Sequence, residues 1–361
     1  MKRLPSLALP LAAVSFACFA LVACSASSQV DGTPSNLDSG SGDGGLNPID
    51  TGGMGNETGP DPGLDGATPL DTGGTGGTSL VYAHTDTELY SLDPATKAVT
   101  KIGPFTGNTG SITDLAIAGD NSMFVNSTTE IYSATLPAGG TGNVVLTLKT
   151  TLPSGLKFYA LGFTPAGVLG AGEALIAGDG NGDLYYVDTS AASTTPQKLG
   201  SFGAWQSGDP GPGRSGDQWT LSGDVVFYMD GAIPRGLATL RACFTSSTGK
   251  TKCQNTNDVL AEVDMDALKA AYASKSAAPT LRKRILGTSG SGFGRLFGIG
   301  AWEDKVYAFS RNETTTSPAV PAQLIVLDST GVGTSAQSFP AITAGWSGAG
   351  VTTKAKISII K

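Results

Sequence analysis

ELYSLDPATKAVTKIGPF (residues 88–105) returns, loosened, as DLYYVDTSAASTTPQKLGSF (183–202). Both run acid, Leu-Tyr, a second apolar residue, Asp, a variable loop, then Lys-x-Gly-x-Phe. That is a strand, a turn and another strand. EIYSATLPAGGTGNVVLTLKTTL (130–152) and QLIVLDSTGVGTSAQSFPAI (323–342) have the same outline. Further strand-like stretches precede these: ITDLAIAGDNSMFVNS (112–127), FYALGFTPAG with EALIAGD (158–179) and RLFGIGAWEDKVYAFS (295–310). The unit is thus four short strands in about 45 residues, a period that belongs to tandem four-stranded repeats.

Units of this kind predict an all-β fold, a β-propeller of about five four-stranded blades. Residues 79–105 supply three strands. Blades follow at about 111–152, 158–202, 216–287 and 293–340. GWSGAGVTTKAKISII (345–360) is left over, and the N- and C-terminal strands are expected to close the first blade together, leaving no exposed edge. The fourth unit is longest and leaves room for a sixth blade. An insertion is expected within 230–280, with a helix in AEVDMDALKAAYASKSAA (261–278) capped by Asp264 or Asp266.

LYSLDPATKAVTKIG resembles the bacterial propellers of the YVTN and quinoprotein-like repeat families, which include many surface lipoproteins. The resemblance runs through most of residues 79–355 and implies a fold more than an activity.

Residues 1–23 read as a lipoprotein signal peptide: Lys2 and Arg3, an apolar run, then Leu21-Val22-Ala23-Cys24. The tetrapeptide resembles a lipobox, which implies lipidation at Cys24; Ser25 behind it implies an outer-membrane lipoprotein, periplasmic-facing or on the cell surface. Residues 24–78 follow as a tether. From 25 to 78 there are eight acidic residues and no Lys or Arg, with abundant Gly, Thr, Ser and Pro. Such a composition is expected to stay disordered and to reach roughly 40 Å. Without signal and tether, 79–361 has 21 basic and 22 acidic side chains, which argues against nucleic acid as a partner. A monomer is expected.

Several motifs dissolve on inspection. Asp50-Thr51-Gly52 and Asp71-Thr72-Gly73 spell the aspartic-protease signature but sit in a low-complexity repeat, not in a rigid buried site. Phe244 stands where a phosphate loop needs its first glycine before Gly249-Lys250-Thr251. His84, the one histidine, is expected as a half-exposed strand residue. Cys243 and Cys253 are expected to form a disulfide in an exported chain. Asp179, Asn181 and Asp183 alternate like calcium ligands, but Leu184 and Ser190 break the loop template. Gly180-Asn181-Gly182 reads instead as a hairpin turn, with weak calcium binding as the remaining metal candidate. Arg282-Lys283-Arg284 reads as edge protection on an outer strand.

Trp205 lies in a loop and Trp302 near a turn, and both are candidate ligand platforms, whereas Trp219 and Trp346 are expected to pack between blades. Together these features point to a binding or scaffolding module for a glycan or protein partner. The membrane is reached through the N-terminal lipid, and no cofactor or catalysis is required. The alternative is a glycoside-active enzyme with paired carboxylates at the channel mouth, and a quinone-binding redox module is a third reading.

Overall fold

The computed structural model describes residues 81–210, 213–245, 251–253, 257–311 and 320–359. The signal, Cys24 and the tether lie outside them. The first strands are β1 (Val81–His84), β2 (Glu88–Leu92) and β3 (Val99–Thr106). Next come β4 (Asp114–Ile117), β5 (Met123–Asn126), β6 (Glu130–Thr135) and β7 (Val144–Thr151). A third group is β8 (Phe158–Thr164), β9 (Ala174–Asp179), β10 (Asp183–Val187) and β11 (Gln197–Ser201). The fourth comprises β12 (Gln218–Asp230), β13 (Ile233–Thr245), β14 (Thr251–Cys253), β15 (Val259–Val263), the helix α1 (Met265–Ser274) and β16 (Arg282–Ile285). β17 (Leu296–Trp302), β18 (Lys305–Ser310), β19 (Ala322–Leu327) and β20 (Gly333–Phe339) form the fifth, and β21 (Gly348–Gly350) ends the series.

The first group supplies three antiparallel strands, and each of the other four is an antiparallel four-stranded blade in chain order, with β14 an extra strand on β13. β21 pairs with β1, Tyr82 facing Gly350 and His84 facing Gly348, and so becomes the innermost strand of the first blade. The innermost strands β21, β4, β8, β12 and β17 touch in a closed cycle. The chain is therefore a five-bladed propeller whose ring is sealed by joining its two ends. A short parallel contact, Phe105 opposite Val144, also stitches the outer strands of the first two blades.

The repeated letters have physical reasons. The acid heading the third strand pairs with the lysine of the fourth: Glu88–Lys101 at 2.6 Å and Asp183–Lys198 at 2.5 Å. Leu89 and Leu184 are fully buried beside them. The register between third and fourth strands slips by a bulge in every blade, at the same place in four of them, Leu89/Tyr90, Ile131/Tyr132, Leu184/Tyr185 and Leu324/Ile325, and two residues later in the fourth blade, at Glu262/Val263. Such bulges strengthen local twist. The glycine of Lys-x-Gly-x-Phe is required by close approach. A Cβ at Gly103 would sit 1.8 Å from the Gly142 carbonyl oxygen, and one at Gly200 2.8 Å from that of Ala278. The phenylalanines, Phe105 and Phe202, are buried in apolar clusters between blades, each stabilising by about 1.5–3 kcal/mol.

The fourth blade differs from expectation. IPRGLATLRACFT is the blade's own second strand, not inserted sequence; it pairs with β12 from Asp230–Ile233 to Gln218–Cys243. Leu237–Leu240 are buried on both sides, so the alternation that marks a half-exposed strand is missing. The additions are the β14 hairpin and α1. Ala261–Val263 belong to β15, and the helix starts only at the Asp264 cap, whose carboxylate accepts from the Asp266 and Ala267 amides; such a cap contributes about 1 kcal/mol.

Candidate functional site

The heads of the innermost strands define the channel mouth. Two of these strands carry an acid directly before an apolar run, Asp114-Leu115-Ala116-Ile117 at the head of β4 and Asp224-Val225-Val226-Phe227 midway along β12, and both acids are fully buried. Each carboxylate accepts the next amide of its own strand and one from a neighbouring blade. Asp114 takes Leu115 N at 2.8 Å and Leu161 N at 2.7 Å. Asp224 takes Val225 N and Ile299 N, both at 2.6 Å. The two carboxyl groups are also hydrogen-bonded to each other. Burial pushes both well above the usual carboxylate range, and the Asp224 charge raises Asp114 further. Two such groups in contact resist ionising together, so the carboxyl that holds a proton longer is Asp114, which donates it to Asp224.

This pair ties four blades together at the axis. It does not have hydrolase geometry. Glycosidase carboxyls stand about 5 Å or more apart around a sugar, whereas these touch each other. Below them the axis is filled by Leu115, Leu161, Val225, Phe227 and Val351, around a void of only ≈ 10 Å³, at the lower limit for one water.

His84 sits beside the pair. It is fully buried rather than half exposed, because β1 is an inner strand of its blade. Its Nδ1–H donates to the Thr85 carbonyl at 2.7 Å, leaving Nε2 as a lone pair without a partner among the described residues. Burial lowers its pKa to about 4. A Cβ at Gly348 would lie 2.2 Å from Asp114 Oδ1 and 2.4 Å from His84 Nε2, so only glycine fits there. Nearby, Arg311 clasps Asp86 through both nitrogens at 3.2 and 3.0 Å, and Ser347 donates to Asp86. These contacts latch the seam between the fifth and first blades.

The opposite face is open. After β21 the chain runs on beneath the ring. Thr352 bridges to Ile117 and Ile357 to Glu303, Glu303 N donates to Lys356 O at 2.7 Å, and Ser358 N to Glu303 O at 2.6 Å. Between this tail and the loops after β8 and β12 lies a groove of ≈ 480 Å³, walled by Pro165, Ala166, Met229, Gly231 and Thr353–Ile357. Glu173 also lines it, accepting from Gly119 N at 2.8 Å and from the Thr353 hydroxyl. Its volume is that of a ligand pocket.

The residues singled out from sequence go elsewhere. Asp179 turns onto its own loop, accepting Asn181 N at 2.9 Å and Asp183 N at 3.0 Å, while Asp183 is held by Lys198. In that turn Gly182 alone takes positive φ, at 84°. Among the described residues no three His, Cys, Asp or Glu side chains are grouped to hold a metal ion. Cys243 and Cys253 face each other across β13 and β14 and form the disulfide. Trp205 and Trp302 are half-buried and pack against the core clusters, Trp302 as the last residue of β17. Trp219 and Trp346 are core: Trp219 donates to Asp209 at 3.0 Å, and Trp346 meets Tyr90, Phe309 and Phe339 edge-on. The basic triplet does lie on the outermost strand, but in ion pairs. Arg282 binds Asp209, and Lys283 and Arg284 join Arg235 around Glu262.

Neither the axial acids nor the groove was anticipated. The one available signal for the acids was a charge placed immediately before an unbroken apolar strand.

No protein-family model matches the chain, and no curated protein does. Among solved structures, a protein of unknown function from Bacteroides caccae is similar at TM-score 0.40 and 7% identity, covering 76% of this chain and 98% of that one. The Dos1 propeller is similar at TM-score 0.30 and 13% identity, covering 70% of this chain and 54% of that one. Both scores are too low to carry an argument, and the fold rests on the strand pairing above.

Proposed function

We propose that the chain is a membrane-anchored, extracytoplasmic propeller that binds a glycan or protein partner, and that it does so through the groove beneath the ring. What supports binding over catalysis is the contrast between its two faces. The acids at the mouth are consumed in holding blades together around a filled axis, whereas the groove offers ligand-sized space with both apolar and charged walls. The anchoring and the outer-membrane location within the cell envelope are proposed from the Leu21–Cys24 sequence alone. Among the described residues no helix is long and apolar enough to cross a bilayer.

Ala166, exposed on the groove wall, provides the test. The ring closes within residues 81–350, so a chain starting at residue 79 suffices. Glycan and peptide arrays are probed with that chain and with Ala166→Trp, whose indole fills the groove. Ligands bound by the parent and lost by the variant, at unchanged melting temperature, support the reading. Ligands bound equally by both refute it.

A further inference from the structure

Neither the groove nor the axis gives a role to the Gly180-Asn181-Gly182 turn. Gly180 and Asn181 are exposed at its tip, while Gly182 is buried. Asn181 is also the one asparagine of the chain that is followed by glycine. That pair of residues has a chemistry of its own. The carboxamide carbon of an asparagine is open to attack by the amide nitrogen of the next residue. A side chain on that next residue obstructs the approach; glycine has none, and its backbone turns most freely. Here the attacking nitrogen is tied by one long hydrogen bond, Gly182 N–H to Asp179 O at 3.2 Å. The carboxamide is held as loosely, Nδ2 donating to Asp179 Oδ2 at 3.3 Å. Loop tips tied in this way open locally at small cost. Asn126 is the contrast: it is fully buried, its Nδ2 donates to Thr113 Oγ1 and to the Ser127 and Phe158 carbonyls, and serine follows it.

We propose that Asn181-Gly182 is a site of spontaneous deamidation, and that its conversion loosens the seam between the third and fourth blades. The Gly182 nitrogen, on losing its proton, bonds to Asn181 Cγ. The bond from Cγ to Nδ2 breaks, and ammonia leaves with that proton. The product is a five-membered cyclic imide, which water opens. Water adding at Cγ restores the main chain and leaves aspartate at 181. Water adding at the main-chain carbonyl leaves isoaspartate, in which the chain runs through the former side chain and is one methylene longer. Neither product fits the turn. Aspartate replaces the donation from Nδ2 by a second carboxylate against Asp179, and the two repel. The extra methylene has no room, because Gly182 is pressed on the head of β12. A Cβ there would stand 2.5 Å from Trp219 O and 3.0 Å from Thr220 Cα. The Gly182 carbonyl accepts Phe202 N at 3.2 Å, and Gly203 O beside it accepts Trp219 N at 2.9 Å. A longer turn displaces Gly182 and with it these ties between β11 and β12.

The experiment ages the chain from residue 79 at mildly alkaline pH, which favours loss of the amide proton, and follows it by mass spectrometry of tryptic peptides. Cleavage after Lys157 and Lys198 releases residues 158–198, in which Asn181 is the one asparagine. The mass of this peptide should rise by the exchange of NH2 for OH, several-fold faster than that of any other asparagine-containing peptide. Isoaspartate-specific enzymatic methylation should label the same peptide, and the urea midpoint of the aged protein should fall in step with the label. Asn181→Gln keeps the amide but needs a larger ring, so on ageing it should neither gain mass nor lose stability. Fresh Asn181→Asp carries the charge without the added methylene and should lose less stability than the aged parent. A 158–198 peptide that stays unchanged, or converts no faster than the others, would overturn the site. Conversion at an unchanged urea midpoint, or an equally large loss in fresh Asn181→Asp, would overturn the release of the seam by the lengthened turn.

Discussion

The axial acid pair makes a measurable claim about protons. In the folded chain Asp114 and Asp224 hold one proton between them, because burial and mutual repulsion disfavour double ionisation. In the unfolded chain both release theirs near pH 3.9. A group whose folded pKa is raised contributes stability that is complete below the unfolded pKa and is lost as pH rises towards the folded value. Per retained proton the slope is about 1.4 kcal/mol per pH unit. Asp114→Asn removes the requirement, since its amide donates to Asp224 at any pH. The variant starts about 1–3 kcal/mol lower, because one amide nitrogen must face the Leu115 or Leu161 N–H that a carboxylate oxygen now accepts. The test lies in the slope, not the offset. As pH rises above the unfolded carboxylate value, the stability of the parent minus that of the variant should shrink, by about 1.4 kcal/mol per pH unit for as long as the pair keeps its proton. Other titrating groups cancel in the difference. Urea unfolding followed by the fluorescence of buried Trp219 and Trp346 measures it at each pH. Parallel pH curves for the two proteins would refute the shared proton.

Asp258 should behave similarly: burial raises it to about 6, so Asp258→Asn should flatten the remaining fall in stability between about pH 4 and 6. Reducing Cys243–Cys253, which closes a loop of separation 10, should lower stability by about 3 kcal/mol, read as a drop in urea midpoint with reductant. Gly103→Ala puts a methyl into the Gly142 carbonyl and should destabilise by about 1–3 kcal/mol, whereas Gly139→Ala, with open space around it, should be near neutral. Lys198→Ala should change stability by less than about 1 kcal/mol, and that change should fade in high salt. Cys24→Ala should release the protein from membranes, as fractionation with and without detergent would show.

The blades were legible because two of them repeat a short physical contract, an acid for a lysine, a leucine for the core and a glycine where the next backbone crowds in, and the others keep its outline. Ring closure was legible from arithmetic, three strands at one end and one at the other. β13 was not, because burial on both sides removes the alternation that marks a strand. The acid pair was hidden by distance, since Asp114 and Asp224 lie on different blades and each looks like a turn residue before a strand. His84 was misjudged for a similar reason, as nothing local says that its strand is an inner one. The groove could not be read at all: it exists only where the tail crosses beneath loops from other blades.

The joining of β21 to β1 bears on the order of events in the cell. As the chain is made, β1 emerges before every other strand of the ring, yet its partner β21 emerges after all of them. Until then the first blade has a bare edge and the ring has a gap, and closing so long a loop is slow compared with local hairpin formation. A chain interrupted anywhere before Gly348 never closes. The β21–β1 seam is thus the contact of the ring that joins the strands farthest apart along the chain.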